Sequence, residues 1–214
     1  EKEKQYADIL ILGRTEMTAA VPMTLGRVFS GYAEAFGRDR WRTFKCEERI
    51  RNINLGGTAI GTGLTAPRKY IFLVTEKLQQ ITGLSVARAE NLVDQTMNAD
   101  SFVEVSGILC ALSANLSKVA RDLRLYQLLG EICLPQLQTG SSIMPGKVNP
   151  VMIEAIIQST MVIQEKHNLI MNAAAQGSLQ INEYMPLIAD SMLPMLDLLI
   201  NTTRSLTLHM EGLC

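Results

Sequence analysis

Residues 140–150 carry more chemistry than a connection between two helices needs. Their sequence, GSSIMPGKVNP, joins two adjacent hydroxyls to one ammonium and one carboxamide. Lys147 and Asn149 offer hydrogen-bond donors to a carboxylate, and the glycines allow backbone N–H groups to point at a ligand. The two prolines restrict the conformations open to the segment. The pattern therefore predicts a loop that holds an anion beside Ser141 and Ser142.

Long helical patterns lie on both sides of this loop. Apolar residues recur at helical spacing, with almost no alternation of period two. The sequence therefore predicts an all-α fold, a bundle of long helices. The predicted helices cover residues 22–52, 67–83, 88–97, 101–128, 151–175 and 186–211.

Three other segments have distinct predictions. Residues 1–12 read as the tail of a helix that breaks at Gly13, and residues 13–15 read as a polar turn. The glycine-rich residues 55–64 are predicted to be irregular. Residues 151–163 are apolar on several sides, which is typical of a helix at the centre of a bundle or at a subunit interface and favours an oligomer.

The composition is that of an ordinary soluble globular protein. The 214 residues are 47% apolar and 19% charged, with a net charge of −1. A basic excess is absent, so we expect no nucleic-acid partner. An unbroken apolar run of roughly 18–20 residues is also absent, so we expect no membrane span. The first residues are charged and have no signal-peptide core, which gives secretion no support.

The cysteines predict neither a metal site nor a disulfide framework. Cys46, Cys110, Cys133 and Cys214 are scattered, form no C-x-x-C pair and have only two histidines as possible co-ligands. We expect them to be reduced and mostly buried in a cytoplasmic protein. The two histidines, His167 and His209, are predicted to be solvated or satisfied within the core. The methionines in the helical runs are predicted to fill gaps in the core.

The loop and several further segments resemble the fumarase/aspartase superfamily. GSSIMPGKVNP matches the signature pattern G-S-S-x-M-P-x-K-x-N, and residues 13–15 with 20–26 resemble the segment ahead of the first central helix. Residues 54–64 resemble the glycine-rich segment of the family. Residues 132–138 and 150–151 are more similar to aspartate ammonia-lyase than to fumarase.

The resemblance implies anti-elimination of ammonia from L-aspartate to give fumarate, without a cofactor or a metal. It implies that Ser141 is the general base, that Lys147 and Asn149 bind the substrate carboxylate, and that Ser142 and Ile143 add hydroxyl or backbone donors. A serine alkoxide needs nearby positive charge, N–H donors and exclusion of water.

The remaining site residues come from outside the loop. The resemblance implies that Thr15 contacts a carboxylate from another subunit and that Glu154 supports the site by hydrogen bonding. It also implies a homo-oligomer, a tetramer whose sites are shared between three subunits. The residues themselves leave structural roles open: Ser142 as a loop-shaping hydroxyl, Glu154 as an acid favoured by the helix dipole, and Thr15 as a turn residue.

Three departures from the family pattern affect these expectations. Glu16 stands where the family usually has His or Gln. Its carboxylate near Glu154 of another subunit would raise one pKa or need a cation, which counts against strict aspartate specificity and against the supporting role of Glu154. The connection at residues 125–134 is shorter than the family's loop, which contains S-S-G-P-R. Residues 1–214 resemble the central helical domain alone, so we expect a fragment without the family's N-terminal and C-terminal domains, and we expect that fragment to be inactive by itself.

Two alternatives stay open. The chain could be part of another lyase of the superfamily, such as a fumarase. It could also be a degenerate homologue that serves as an assembly or binding module, in line with Glu16 and the short connection.

Overall fold

A computed structural model describes residues 1–138 and 140–214, and helices dominate this part of the chain. The all-α class predicted from the sequence is confirmed. The helices are α1 (Lys2–Gln5), α2 (Leu25–Ile50), α3 (Arg68–Thr82), α4 (Asp94–Met97), α5 (Asp100–Leu128), α6 (Val151–Ala175) and α7 (Met185–Glu211). The short strands are β1 (Leu10–Thr15), β2 (Thr18–Thr24), β3 (Asn52–Ile53) and β4 (Ala87–Arg88).

The ends of the helices follow local sequence signals. Helix α3 begins directly after Pro67, whose fixed φ suits a helix start, and ends at Gly83 with φ of 71°. A left-handed residue at a helix end is accessible to glycine without steric cost. Helix α6 begins and ends at the predicted residues 151 and 175.

The N-terminal region corrects the prediction of a helix tail over residues 1–12. Only Lys2–Gln5 is helical, and β1 and β2 form an antiparallel hairpin in which Leu12 pairs with Pro22. Leu10 and Leu12 are exposed and Ile11 is buried, so both faces of β1 are apolar. The alternation that reveals a half-buried strand is therefore missing from its sequence.

Two further boundaries differ from the prediction. Helix α2 begins at Leu25 rather than Pro22, because Pro22 lies in β2 and the Thr24 hydroxyl accepts a hydrogen bond from the Arg27 N–H at 3.3 Å. The helix predicted over residues 88–97 is confined to α4, since Ala87 and Arg88 pair with β3 in a parallel bridge.

The chain divides into two compact units. Unit one contains residues 1–41, 114–160 and 201–214, and unit two contains residues 42–113 and 161–200. Every candidate site residue named from the sequence lies in unit one. Whether residues 1–214 form one domain of a longer protein stays a prediction.

Unit one has an apolar core around the parts of α5 and α6 that it contains. Leu116, Leu123 and Ile153 are fully buried, and Ile156 is 2% exposed. Ile153 and Ile156 are three residues apart and therefore share one face of α6, which fixes the rotation of the helix that carries Glu154. The other buried apolar residues of unit one include Phe29, Val119, Ala120, Leu134 and Leu206.

Polar side chains pair where they enter the core of unit one. The Tyr32 hydroxyl donates to Asp122 at 2.6 Å, and burial together with this bond raises the pKa of Tyr32. The Asn115 side chain donates to the buried carboxylate of Asp39 at 2.6 Å. Buried polar groups need such partners because their hydration is lost on folding.

Unit two has its own core and its own polar contacts. Ile163, Ile170, Ile188 and Met195 are almost fully buried. The Asn182 side chain donates to the carbonyls of Ala173 and Ala174 at 3.4 and 3.0 Å, which satisfies carbonyl groups at the end of α6.

Helix α5 is long and apolar enough to cross a bilayer, by length and composition alone. Core helices of globular proteins meet the same criterion, and Leu109, Leu116 and Leu123 of α5 are buried. The expected absence of a membrane partner stays a prediction.

Replacing Ile156 with alanine tests the packing that sets the rotation of α6. We expect Ile156→Ala to lower the free energy of unfolding by about 2–4 kcal/mol, because a cavity replaces buried methyl groups. The matched control is Gln158→Ala at an exposed position of the same helix, which should change it by less than about 0.5 kcal/mol. Equal effects in urea unfolding would contradict this account of the core.

Candidate active site

Residues 140–150 form a closed loop ahead of α6. The Gly140 N–H donates to the Lys147 carbonyl at 2.8 Å, and the Lys147 N–H donates to the Met144 carbonyl at 3.2 Å. A side chain at residue 140 would place its Cβ 2.4 Å from the Lys147 carbonyl oxygen. Only glycine permits this close approach, which explains why the first residue of the signature is glycine.

The Ser141 side chain is held by two backbone amides. Its Oγ accepts hydrogen bonds from the N–H groups of Ile143 at 3.2 Å and Met144 at 3.1 Å. Hydrogen bonds donated to an oxygen stabilise its anionic form over its neutral form. Serine hydroxyls that accept bonds from following backbone amides also stabilise turns, so the same two hydrogen bonds contribute to the conformation of the loop.

The other candidate residues of the loop differ in exposure. The side chains of Ser142, Ile143 and Lys147 are exposed, and Asn149 is half-buried. The Asn149 amide donates to the Gly140 carbonyl at 3.4 Å, a long bond that a better acceptor can replace. Ser141, Ser142, Ile143, Lys147 and Asn149 thus share one loop, as the sequence predicted.

Glu154 lies at the start of α6 and faces a cavity. It belongs to the first turn, where the helix dipole favours a carboxylate, and it is half-buried. The cavity has a volume of ≈ 670 Å³. Its lining includes Arg121, Arg124 and Gln127 on α5 and Val148, Pro150 and Glu154 around the loop end.

The α5 residues of this cavity were not among those predicted from the sequence. Arg121, Arg124 and Gln127 recur every three residues, so they lie near one another on the helix surface. The Gln127 Oε1 is buried and has no hydrogen-bond partner among the described residues. The spacing of these residues is the sequence signal that could have identified them. This signal is weak, because arginines are common near a helix C-terminus, where they complement the helix dipole.

The turn between β1 and β2 has an unusual backbone. Glu16 and Met17 have φ of 50° and 67°, as a two-residue hairpin turn of type I′ requires. Such turns favour Asn-Gly, and larger side chains are strained there. Met17 reaches the cavity that Glu154 lines.

The residue before Thr15 anchors the hairpin. Arg14 and Glu131 form a two-point ion pair at 2.8 and 2.7 Å, and this hydrogen bonding raises the pKa of Arg14. Thr15 is exposed and pairs with Thr18 across the hairpin. Thr15 and Ser141 are not among the residues that line the Glu154 cavity, within the described part of the chain. The contact of Thr15 with a substrate of another subunit stays a prediction.

One histidine agrees with the role expected for it, and the cysteines agree in part. The His167 ring forms a hydrogen bond with the Ser106 hydroxyl at 2.8 Å. His209 is buried, which lowers its pKa, but its Nε2 has no hydrogen-bond partner among the described residues, which corrects the expectation that it is satisfied within the core. Cys46 is buried, but Cys133 and Cys214 are exposed, which corrects the expectation that the cysteines are mostly buried. Groups of three or more His, Cys, Asp or Glu side chains that could hold a metal ion are absent from residues 1–138 and 140–214.

The methionines also depart from the expected core role in part. Met192 and Met195 are buried, as predicted. Met161, Met171 and Met185 are exposed instead, because they lie on the outward faces of α6 and α7.

Comparison with known proteins assigns the family. A statistical model of a protein family described as "Lyase" matches residues 1–164. The chain belongs to this lyase family. The matched part includes the hairpin, the signature loop and Glu154, and the resemblance expected from the sequence is confirmed.

Individual members of the lyase family are similar along nearly the whole chain. The aspartate ammonia-lyase of Helicobacter pylori is 42% identical over 194 residues, which are 88% of this chain and 42% of that protein. A solved fumarate lyase:delta crystallin from Brucella melitensis superposes with a TM-score of 0.95 at 38% identity. A class II fumarase from Schistosoma mansoni superposes with a TM-score of 0.88 at 29% identity.

The chain spans only part of these lyases. Both superpositions cover 100% of this chain, but they cover 48% of the Brucella chain and 49% of the Schistosoma chain. The chain therefore corresponds to about half the length of each solved lyase and to less of the curated relative.

Replacing Met17 with glycine tests the strain in the hairpin turn. We expect Met17→Gly to raise the free energy of unfolding by about 1 kcal/mol, because glycine adopts positive φ without a steric penalty. The control is Thr18→Gly in β2, which should lower it because glycine weakens a strand. A lower free energy of unfolding for Met17→Gly, measured in urea, would contradict the backbone strain assigned to this turn.

Proposed function

We propose that the protein to which this chain belongs is an aspartate ammonia-lyase. The reaction is the anti-elimination of ammonia from L-aspartate to give fumarate. The observation that carries the proposal is the Ser141 Oγ, which accepts two backbone N–H bonds in a loop that also presents Lys147. The 42% identity to the Helicobacter pylori enzyme supports the choice of aspartate.

The chemical difficulty is the removal of a weakly acidic proton from the carbon beside a carboxylate. The elimination passes through a species with additional negative charge on that carboxylate, which must be stabilised where it develops. In the proposed mechanism Ser141 takes the proton from carbon. The two amide donors and the Lys147 ammonium favour the alkoxide that this step requires.

The other loop residues bind and orient the substrate. Lys147 and Asn149 bind the carboxylate beside the reacting carbon, and Ser142 and Ile143 add donors at its edge. Asn149 donates to Gly140 at 3.4 Å, so a substrate carboxylate would offer it a shorter and stronger bond. Thr15 contributes to the site of another subunit in this proposal.

Glu154 supports the site from the adjoining cavity. Glu154 lines that cavity together with Arg121 and Arg124, and guanidinium groups donate charge-assisted hydrogen bonds to carboxylates. We therefore retain a hydrogen-bonding role for Glu154 in the proposal.

A second candidate is the elimination of water from malate. The superposition on the Schistosoma mansoni class II fumarase favours it, because both reactions give fumarate. A third candidate, an assembly or binding module without activity, rests on Glu16 and the short connection between α5 and α6. An assay with both substrates separates the three.

The first experiment follows fumarate absorbance with the whole protein, using L-aspartate and malate in parallel. We expect fumarate from aspartate and little from malate. Fumarate formed mainly from malate would favour the second candidate. If neither substrate gave fumarate, the third candidate would be favoured. The 214-residue polypeptide assayed alone is expected to be inactive, and fumarate release by it would refute that part of the proposal.

Replacing Ser141 with alanine tests the general base. We expect Ser141→Ala to lower kcat by about 10²–10⁴-fold, since positioned proton transfer contributes that much. The neighbouring Ser142→Ala is the matched control and should lower activity less, mainly through KM. Folding of both variants is checked by circular dichroism. Equal activities of wild type and Ser141→Ala would exclude Ser141 as the base.

We also propose a homo-oligomer, a tetramer whose sites are shared between subunits, in the cytoplasm. Exposed apolar side chains on the unit-two parts of α6 and α7 support contacts between copies. They include Met161 (59% exposed), Val162 (48%), Leu193 (63%) and Ile200 (54%). A second copy that covers them would remove their apolar surface from water.

Light scattering coupled to size exclusion tests this assembly. We expect the mass of a tetramer for the whole protein and a smaller species for Leu193→Glu, because burying a charge in an apolar interface is costly. The control Glu165→Gln, at an exposed position of α6, should leave the mass unchanged. A monomeric wild type would contradict the proposed assembly.

A further inference from the structure

Cys133 and Cys214 face each other in unit one, although 81 positions separate them in the sequence. The Cys133 N–H donates to the Cys214 carbonyl at 2.6 Å, and the Cys214 N–H donates to the Cys133 carbonyl at 3.2 Å. The Cys214 thiol also donates to the Cys133 carbonyl at 3.6 Å. The two residues therefore meet backbone to backbone and side chain to backbone.

This reciprocal pairing sets the spacing between the two residues. Directly opposite residues that exchange both N–H···O bonds in antiparallel strands have Cα atoms about 5.5 Å apart. A disulfide needs a Cα separation of about 4.4–6.8 Å. Opposite Cβ atoms lie about 4.5–5.5 Å apart, with hydrogen-bonded pairs at the wide end, so the side chains need to approach by about 1–2 Å to reach disulfide geometry.

Neighbouring residues hold the two backbones in place. Ile132 and Leu134 are buried on either side of Cys133, and Leu213 is buried beside Cys214. The Tyr6 hydroxyl donates to the Leu213 carbonyl at 2.7 Å. Neither cysteine lies in a helix or strand, so the small shift needed for a bond breaks no regular element.

The exposure of the two thiols permits oxidation. Both are exposed, so a small oxidant reaches them, whereas Cys46 is buried. The interaction with the Cys214 side chain raises the pKa of Cys133, which lowers its thiolate fraction at neutral pH. The thiolate is the nucleophile in disulfide exchange, so oxidation is expected to accelerate as the pH rises.

We propose that Cys133 and Cys214 form a reversible disulfide on exposure to a low-molecular-weight disulfide such as oxidised glutathione. One cysteine thiolate attacks the glutathione disulfide, forms a mixed disulfide and releases one glutathione thiolate. The second cysteine thiolate attacks the protein sulfur of that mixed disulfide and releases the second glutathione. The two protein thiols lose two protons and two electrons, and oxidised glutathione is reduced to two glutathione molecules.

The bond would restrain the approach to the signature loop. Cys133 lies in the connection between α5 and α6, a few residues ahead of Gly140. A cross-link over 81 positions removes conformational freedom from the unfolded chain. Disulfides in cytoplasmic proteins are usually transient, which matches a bond between exposed cysteines.

The experiment equilibrates the native protein in glutathione buffers of defined ratio and maps disulfides by mass spectrometry without reduction. The variants are Cys133→Ser and Cys214→Ser, with Cys110→Ser as the matched control. We expect a Cys133–Cys214 link in wild type and in the control, and its loss in the other two variants. Oxidised wild type should unfold about 5–10 °C above its reduced form.

Other outcomes would overturn the proposal. Glutathione attached separately to Cys133 and Cys214, with no link between them, would show that the thiols do not reach each other. A link that forms only in urea would show that the native backbone prevents it. A link that persists in Cys133→Ser would assign the oxidation to a different pair.

Discussion

The two amide bonds to the Ser141 Oγ are the contact on which the proposed chemistry depends. They exist because the loop closes on itself through the Gly140 and Lys147 backbones, which requires a residue without a side chain at position 140. A serine hydroxyl is a poor base in water, and only fixed donors and nearby positive charge can change that. The loop provides the two amide donors, and the proposal assigns the positive charge to Lys147 of the same loop.

The surrounding helices supply what the loop lacks. Ile153 and Ile156 pack into the core of unit one and thereby direct Glu154 on the same helix toward its cavity. The last turns of α5 contribute Arg121 and Arg124 to that cavity. The loop and the helix ends thus act as one local arrangement, in which core packing sets the positions of exposed charges.

The sequence predicted the long helices and the loop well because their signals are local. Helix α6 is predicted by the apolar spacing of residues 151–175. The two ends of α3 are marked by Pro67 and Gly83, which are next to the helix in the sequence. The hairpin of β1 and β2 was missed because Leu10, Ile11 and Leu12 are all apolar, so no alternation marks the strand. Strand β1 pairs with β2 further along the chain, and a local sequence pattern does not predict such a contact.

The candidate site was predictable to a similar degree. Ser141 and Lys147 are close in the sequence, so their common position in one loop could be predicted without knowledge of the fold. Arg121, Arg124 and Gln127 were missed because their relation to Glu154 arises only when α5 and α6 pack together. The pairing of Cys133 with Cys214 was missed for the same reason, since scattered cysteines have no spacing signal.

The crowding around Gly140 has a consequence for saturation mutagenesis of this loop. A methyl group there would collide with a backbone carbonyl, whereas a methyl group at Gly146, with φ of 79°, meets no atom within 4 Å and suffers only backbone strain. Asparagine tolerates positive φ better than other residues, so it is the replacement most compatible with position 146, while position 140 accepts none. Intolerance to substitution at Gly140 would therefore reflect loop closure and not contact with substrate.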